Sequence, residues 1–140
     1  QEYRMPIELG KAEAIYLENE ICLMAVGSMV KTAVEVRKRL HEEGFSCSVI
    51  NARFVKPIDE NAVEYAAKHH RFLVTMEANV ASGGFGEKVR EYFDGLTTDC
   101  KLINIAIPDE YVEHGNVDLL KKEIGIDEES ITNVILAEMK

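Results

Sequence analysis

Four short apolar runs alternate along the chain with segments of helical periodicity: Ile21 to Val26, Phe45 to Asn51, Phe72 to Met76 and Leu102 to Ile107. A run this short reads as a buried strand rather than a helix. Strands that alternate with helices read as a mainly parallel sheet covered on both faces, with right-handed crossovers. After the first run, Met29, Ala33, Val36 and Leu40 repeat at helical spacing, with Val30 and Val34 beside them. Ser28 is the expected N-cap of that helix, which should end before Gly44. Asp59 should cap a helix carrying Ala62, Val63, Ala66 and Ala67, and Phe85, Val89, Tyr92 and Phe93 mark another. Leu119, Leu120 and Ile124 make a short helix closed by Gly125, and Asp127 caps a last one with Ile131, Val134 and Ile135 inward. Lys11 to Leu17 fits a short edge strand. Residues 1–10, with Pro6 and Gly10, fit an incoming linker, which leaves one α/β domain over residues 11–140.

A chain of 140 residues can form that domain unaided. Its size allows roughly 68–70% of the unfolded surface to be buried, without disulfide or metal staples. Cys22, Cys47 and Cys100 are odd in number, show no C-x-x-C spacing and fall in or just before expected strands, as reduced cysteines of a cytosolic protein do. No apolar run approaches the ~18 residues of a membrane span, and no signal peptide is expected. A cytoplasmic location without a membrane partner is therefore expected. The start at Gln1-Glu2, with no initiator Met, fits a fragment or a processed chain. Net charge is −9, and residues 109–140 carry nine acids against three bases. That balance argues against nucleic acid, which needs clustered Lys and Arg. The basic cluster Arg37, Lys38 and Arg39 lies late in a helix, where it complements the negative end of the dipole and is expected on a solvated face.

The stretch TMEANVASGGFG, residues 75–86, places glycines between a strand and a helix. A dinucleotide fingerprint needs G-x-G-x-x-G; Gly84 and Gly86 supply two glycines, but Val89 holds the third position. The phosphate loop G-x-x-x-x-G-K-[ST] is absent as well. Glu77 at the strand end would repel a phosphate. Glycines here instead permit unusual backbone angles and close approach, as at a packing surface. His69 and His70 point about 100° apart on a helix and read as helix-end cations rather than a metal pair. His114, beside Asp109, Glu110 and Glu113, reads as part of a loop fixed by hydrogen bonds. Arg53 follows a strand and is either a surface residue or a guanidinium that forks onto a carboxylate across an interface. The residues alone thus give an acidic α/β domain without a complete active site.

Three segments together carry a family resemblance: NARFVKPID (51–59), VTMEANVASGGFG (74–86), and IPDEYVEHG (107–115) followed by LLKKEIGID (119–127). The chain resembles, from about Pro6 to about Ile135, the C-terminal domain of the 1-deoxy-D-xylulose 5-phosphate synthases, thiamine-diphosphate enzymes of the transketolase superfamily. Ala78, Glu87 and Tyr111-Val112 stand where that family commonly has other residues. The resemblance implies a three-layer α/β/α fold with a mostly parallel five-stranded sheet and one antiparallel edge strand, assigned to Lys11–Leu17 or a neighbour. It implies a parent enzyme that condenses pyruvate with glyceraldehyde 3-phosphate and uses thiamine diphosphate and magnesium. Cofactor and catalytic residues then belong to upstream domains, and no catalytic, cofactor-binding or metal residue is expected in this chain. The expected partners are those upstream domains and a second copy, in a homodimer. Arg53, Glu77, Gly83, Gly84, Gly86 and His114 are the interface candidates on strand-end loops. The alternatives are the equivalent domain of a 2-oxoacid dehydrogenase β subunit, which docks an acyltransferase, and a free nucleotide or flavin binder.

Overall fold

The computed structural model describes residues 12–53, 58–78, 84–107 and 127–139. They form strands β1 (Glu13–Tyr16), β2 (Ile21–Ala25), β3 (Cys47–Asn51), β4 (Phe72–Ala78) and β5 (Lys101–Ile107). Between and after them lie helices α1 (Met29–Glu42), α2 (Glu60–His69), α3 (Phe85–Phe93) and α4 (Glu128–Glu138). The sheet order is β1-β3-β2-β4-β5. Every pair is parallel except β1 with β3, so the antiparallel edge strand falls inside the expected Lys11–Leu17 stretch.

Strand alternation divides the core in two. Ile21, Leu23 and Ala25 of β2 point toward α1 and α4, where they meet Met29, Ala33, Val36, Leu40, Ile131 and Ile135. Cys22 and Met24 point toward α2 and α3 and join Ala62, Val63, Ala66, Phe85, Val89 and Phe93. All five β2 residues are buried, which is why this segment reads as a continuous apolar run. Each fully buried large apolar side chain contributes about 1.5–3 kcal/mol. The spacing seen in the sequence is thus the spacing of the core, except on α4, where Ile131 and Ile135 are buried but Val134, expected inward, is 41% exposed; the expected helix at Leu119, Leu120 and Ile124 lies outside the described residues.

Helix ends follow local chemistry in three cases. Asp59 Oδ1 accepts the Ala62 N–H at 3.1 Å and Asp127 Oδ1 accepts that of Ser130 at 2.9 Å, as expected of N-caps. Asp59 also accepts the Ala12 N–H through Oδ2 at 2.8 Å, tying the edge strand to α2. Helix α1 closes before Gly44 through paired bonds, Phe45 N–H to Leu40 C=O and Gly44 N–H to His41 C=O. Ser28 departs from expectation, because its side chain caps nothing. The Met29 and Val30 amides donate to the Val26 and Gly27 carbonyls instead, so the turn itself satisfies them.

Arg37 corrects the expectation of a solvated basic face. It is buried; its Nε donates to the Cys47 carbonyl at 2.9 Å, and its Nη2 meets Glu18 Oε2 at 2.7 Å. The guanidinium lies 3.8 Å from the Tyr16 ring centroid, the geometry of a cation–π contact. Glu18 also accepts from the Cys47 amide at 2.6 Å and lies 2.7 Å from His41 Nε2. One carboxylate in the turn before β2 thereby joins α1 to β3. Lys38 and Arg39 are exposed, as expected.

His70, expected as a helix-end cation, is likewise buried. Its Nδ1 donates to the Ala66 carbonyl at 2.8 Å, and its Nε2 lies 2.8 Å from Ser48 Oγ. Burial pushes its pKa down, with neighbouring His69 adding to that and the Ala66 bond opposing it. The neutral form therefore favours the fold. Its contribution is complete above the ordinary histidine value of about 6.5 and is lost as pH falls below it. Glu18 acts in the same direction at lower pH. Burial pushes its carboxyl up, but His41, the Cys47 amide and Arg37 together hold it low, so its contribution disappears as pH falls through the carboxylate range. The urea midpoint should drop between pH 7 and 5.5, and His70→Gln should flatten that part of the profile.

Candidate functional site

The polar residues of the sheet gather where β4 and β5 run out at their carboxyl ends. Along β4, Leu73, Thr75 and Glu77 alternate with Val74 and Met76, and only the odd positions turn polar toward the carboxyl end. Thr75 is paired across the sheet with Asn104 of β5. Thr75 Oγ1 donates to Asn104 Oδ1 at 2.8 Å, and Asn104 Nδ2 reaches the Gly86 carbonyl at 3.5 Å. Glu77, only 3% exposed, accepts the Gly86 N–H through Oε2 at 2.5 Å. Side chains of two strands thus hold the first turn of α3 from below.

This arrangement explains the glycines. A Cβ on Gly86 would lie 2.6 Å from Glu77 Oε2 and 3.3 Å from both Thr75 Oγ1 and Asn104 Cγ. Position 86 therefore admits no side chain while Glu77 keeps its bond. Gly84 begins the helix in the left-handed region, at φ 81°, without a side-chain cap. The positive end of the helix dipole, where a phosphate would sit, is supplied with the protein's own carboxylate. Val89, at the position of the missing third glycine, is fully buried in the core.

Arg53 lies exposed just past β3, at the same end of the sheet. It is the non-glycine residue with positive φ among those described, at 63°, and its N–H donates to Asn51 Oδ1 at 3.1 Å. Gly83 and His114 lie outside the described residues. The sequence reading missed Thr75 and Asn104; the signal available was a polar residue at alternate positions of an apolar strand.

The rest of the described surface offers little chemistry. A groove of about 630 Å³ opens at the opposite, amino-terminal edge, lined by Arg71, Thr98, Asp99, Lys101 and Glu138 among others, with charges of both signs. Among the described residues, no group of three or more His, Cys, Asp or Glu is placed to hold a metal ion. The three cysteines are buried and unpaired. Burial pushes the Cys100 thiol up to about 11 and raises those of Cys22 and Cys47 as well, so none is a ready nucleophile at neutral pH. No described helix is long and apolar enough to cross a membrane.

Comparison with known proteins decides the family. The profile described as "Transketolase, C-terminal domain" matches residues 10–131. The chain belongs to the transketolase C-terminal domain family. It is 44% identical over 140 residues to the 1-deoxy-D-xylulose-5-phosphate synthase of Lachnoclostridium phytofermentans, covering 96% of this chain and 22% of that protein. Against the synthase of Aquifex aeolicus identity is 38%, over 96% of this chain and 21% of the relative. This transketolase C-terminal domain therefore spans about a fifth of the length of the curated relatives it matches. A split-gene transketolase, described as an inactive beta4 tetramer, superposes with a TM-score of 0.77 at 21% identity, over 95% of this chain and 43% of that one. A transketolase from Campylobacter jejuni gives 0.53 at 20% identity, over 89% and 18%. These likenesses show the fold of the domain.

The described start of α3 does not fit a diphosphate group. A diphosphate at the start of α3 would meet the Glu77 carboxylate, and no described cluster offers a metal ion its ligands.

Proposed function

We propose that this domain is the assembly part of a thiamine-diphosphate-dependent synthase that condenses pyruvate and glyceraldehyde 3-phosphate to 1-deoxy-D-xylulose 5-phosphate. In this reading the upstream domains of the parent chain hold the cofactor, its magnesium and the catalytic residues. The carboxyl edge around Arg53 and Gly84 packs against them and supports a cytoplasmic homodimer, with the interface candidates Glu77 and Gly86 buried beneath that edge; Gly83 and His114 belong to the same proposed surface. The observation that carries the reading is the Glu77 carboxylate on the Gly86 amide, which denies that amide to a ligand phosphate at the glycine-rich helix start. Identity of 44% to a curated synthase over nearly the whole chain supports the choice of parent.

Isothermal titration of the isolated domain with thiamine diphosphate and magnesium is expected to show no binding, and the domain no synthase activity. Tight binding would overturn the proposal. A thermal shift with FMN, NAD or ATP tests the nucleotide alternative, since a site filled at 100 times its dissociation constant adds about 2.7 kcal/mol. Capture of the peripheral-subunit-binding domain of an acyltransferase would favour the dehydrogenase alternative instead.

A further inference from the structure

Ser48 is fully buried on β3, and its hydroxyl stands among three polar atoms. The Glu18 N–H donates to Ser48 Oγ at 2.6 Å, the Glu18 carbonyl oxygen lies 3.1 Å from it, and His70 Nε2 lies 2.8 Å away. A serine hydroxyl has one proton and two acceptor sites, so it cannot donate to the carbonyl and the ring at once. The state of His70 decides between them. Nδ1 stands 2.8 Å from the Ala66 carbonyl, which only accepts; the neutral ring therefore carries its proton on Nδ1 and leaves Nε2 as an acceptor. Ser48 then donates to Nε2. A protonated ring donates from both nitrogens. Ser48 Oγ then accepts from Nε2 and from the Glu18 amide, and its own proton faces the Glu18 carbonyl.

We propose that Ser48 is a reversible link that passes the protonation of His70 to the turn before β2: as Nε2 takes a proton, the Ser48–His70 bond reverses and the hydroxyl rotates its proton from the ring to the Glu18 carbonyl. The incoming proton is taken from solvent hydronium, and no other covalent bond changes. His70 lines the groove of about 630 Å³ at the amino-terminal edge, which gives solvent its path. The hydroxyl and both ring nitrogens keep partners in either state, so the charge that burial disfavours orphans none of them. With His70 charged, Ser48 holds Glu18 by its N–H and its C=O; with His70 neutral, by the N–H alone. The carboxylate of the same Glu18 is taken up by Arg37, His41 and the Cys47 amide, so the link acts on the residue that joins α1 to β3.

The other groups around the ring set its background. His69 opposes a second charge, and Lys68 and Arg71 share its segment. Asp99 and Lys101 at the start of β5 and Glu138 of α4 border the same groove with mixed sign. Cys100 and Cys22, the latter in register with Ser48, are thiols that burial keeps protonated, and the Tyr65 ring stands edge-on at 6.5 Å.

The test is NMR of the full 140-residue chain through a titration from about pH 8 to about pH 5, with His70→Gln identifying the His70 signals. Neutral His70 should carry its proton on Nδ1, and the Glu18 carbonyl carbon should shift with the same midpoint as the ring. A neutral ring protonated on Nε2, a Glu18 carbonyl indifferent to the ring's titration, or unfolding before His70 titrates would each overturn the proposal. Ser48→Ala should lower the proton affinity of His70 about fivefold or more, since the bond to a charged ring is the stronger of the two lost. Ser48→Thr keeps the hydroxyl and should bring the midpoint back. An unchanged midpoint in Ser48→Ala, or an equal fall in Ser48→Thr, would reduce Ser48 to a packing residue. Should either variant not fold, the tautomer and the carbonyl shift of the wild type decide.

Discussion

Arg37→Ala is expected to lower folding stability by about 2–3 kcal/mol, because it removes a buried guanidinium whose charged hydrogen bonds tie Glu18 to the Cys47 carbonyl. Three contacts go at once: the 2.7 Å ion pair to Glu18, the 2.9 Å bond to the Cys47 carbonyl and the stacking on Tyr16. Exposed surface pairs contribute about 0–1 kcal/mol, and the Lys38–Glu35 pair on the same helix is of that kind. Lys38→Ala is therefore the internal control, with little or no change. Arg37→Lys should recover only part of the loss, since an ammonium lacks the planar fork that serves Glu18 and Cys47 together. Urea unfolding of the three variants at pH 7 checks the order. A loss below about 1 kcal/mol for Arg37→Ala would return Arg37 to the status of a surface charge.

The second large effect belongs to Gly86. Gly86→Ala should destabilise by about 1–3 kcal/mol, as overpacking does. The added Cβ falls 2.6 Å from Glu77 Oε2, and Thr75 and Asn104 at 3.3 Å block the other directions. The carboxylate must then move off the Gly86 amide. That mechanism predicts non-additivity. With Glu77→Ala already in place, most of the clash is gone, and the further cost of Gly86→Ala should fall below about 1 kcal/mol. Additive losses in the double-mutant cycle would place the strain elsewhere in the turn. Gly95→Ala, where the nearest atom to a new Cβ is the Tyr92 carbonyl oxygen at 3.5 Å, is the matching control.

How far the site was legible depended on the range of the interactions. Asp59 and Asp127 were readable as caps because donor and acceptor lie three residues apart. Gly86 was readable as a glycine in a strand-to-helix turn, but its reason was not. That reason is a carboxylate brought beneath it by the pitch of β4 and an amide brought beside it by the β4–β5 register. Asn104 went unremarked in the sequence, and only the register sets it opposite Thr75. Arg37 and His70 were misjudged on the same ground. Each sits at a helix position that favours a cation, and local dipole arguments read Arg37 as solvated and His70 as charged. The sheet then brings Glu18 and Cys47 to Arg37, and Ser48 to His70, over distances the local pattern does not encode.

The amino-acid sequence by itself determined the alternation of the described strands and helices, most of their inward residues though not Val134, and the family, since side-chain periodicity and local caps are properties of neighbouring residues. Strand order, the pairing of β1 with β3, and the partners of Glu18, Arg37, His70 and Glu77 were decided only by the tertiary structure. A buried polar group must find its partner wherever the packed chain delivers one. For these four residues that place is a different segment of the fold, which no local pattern names.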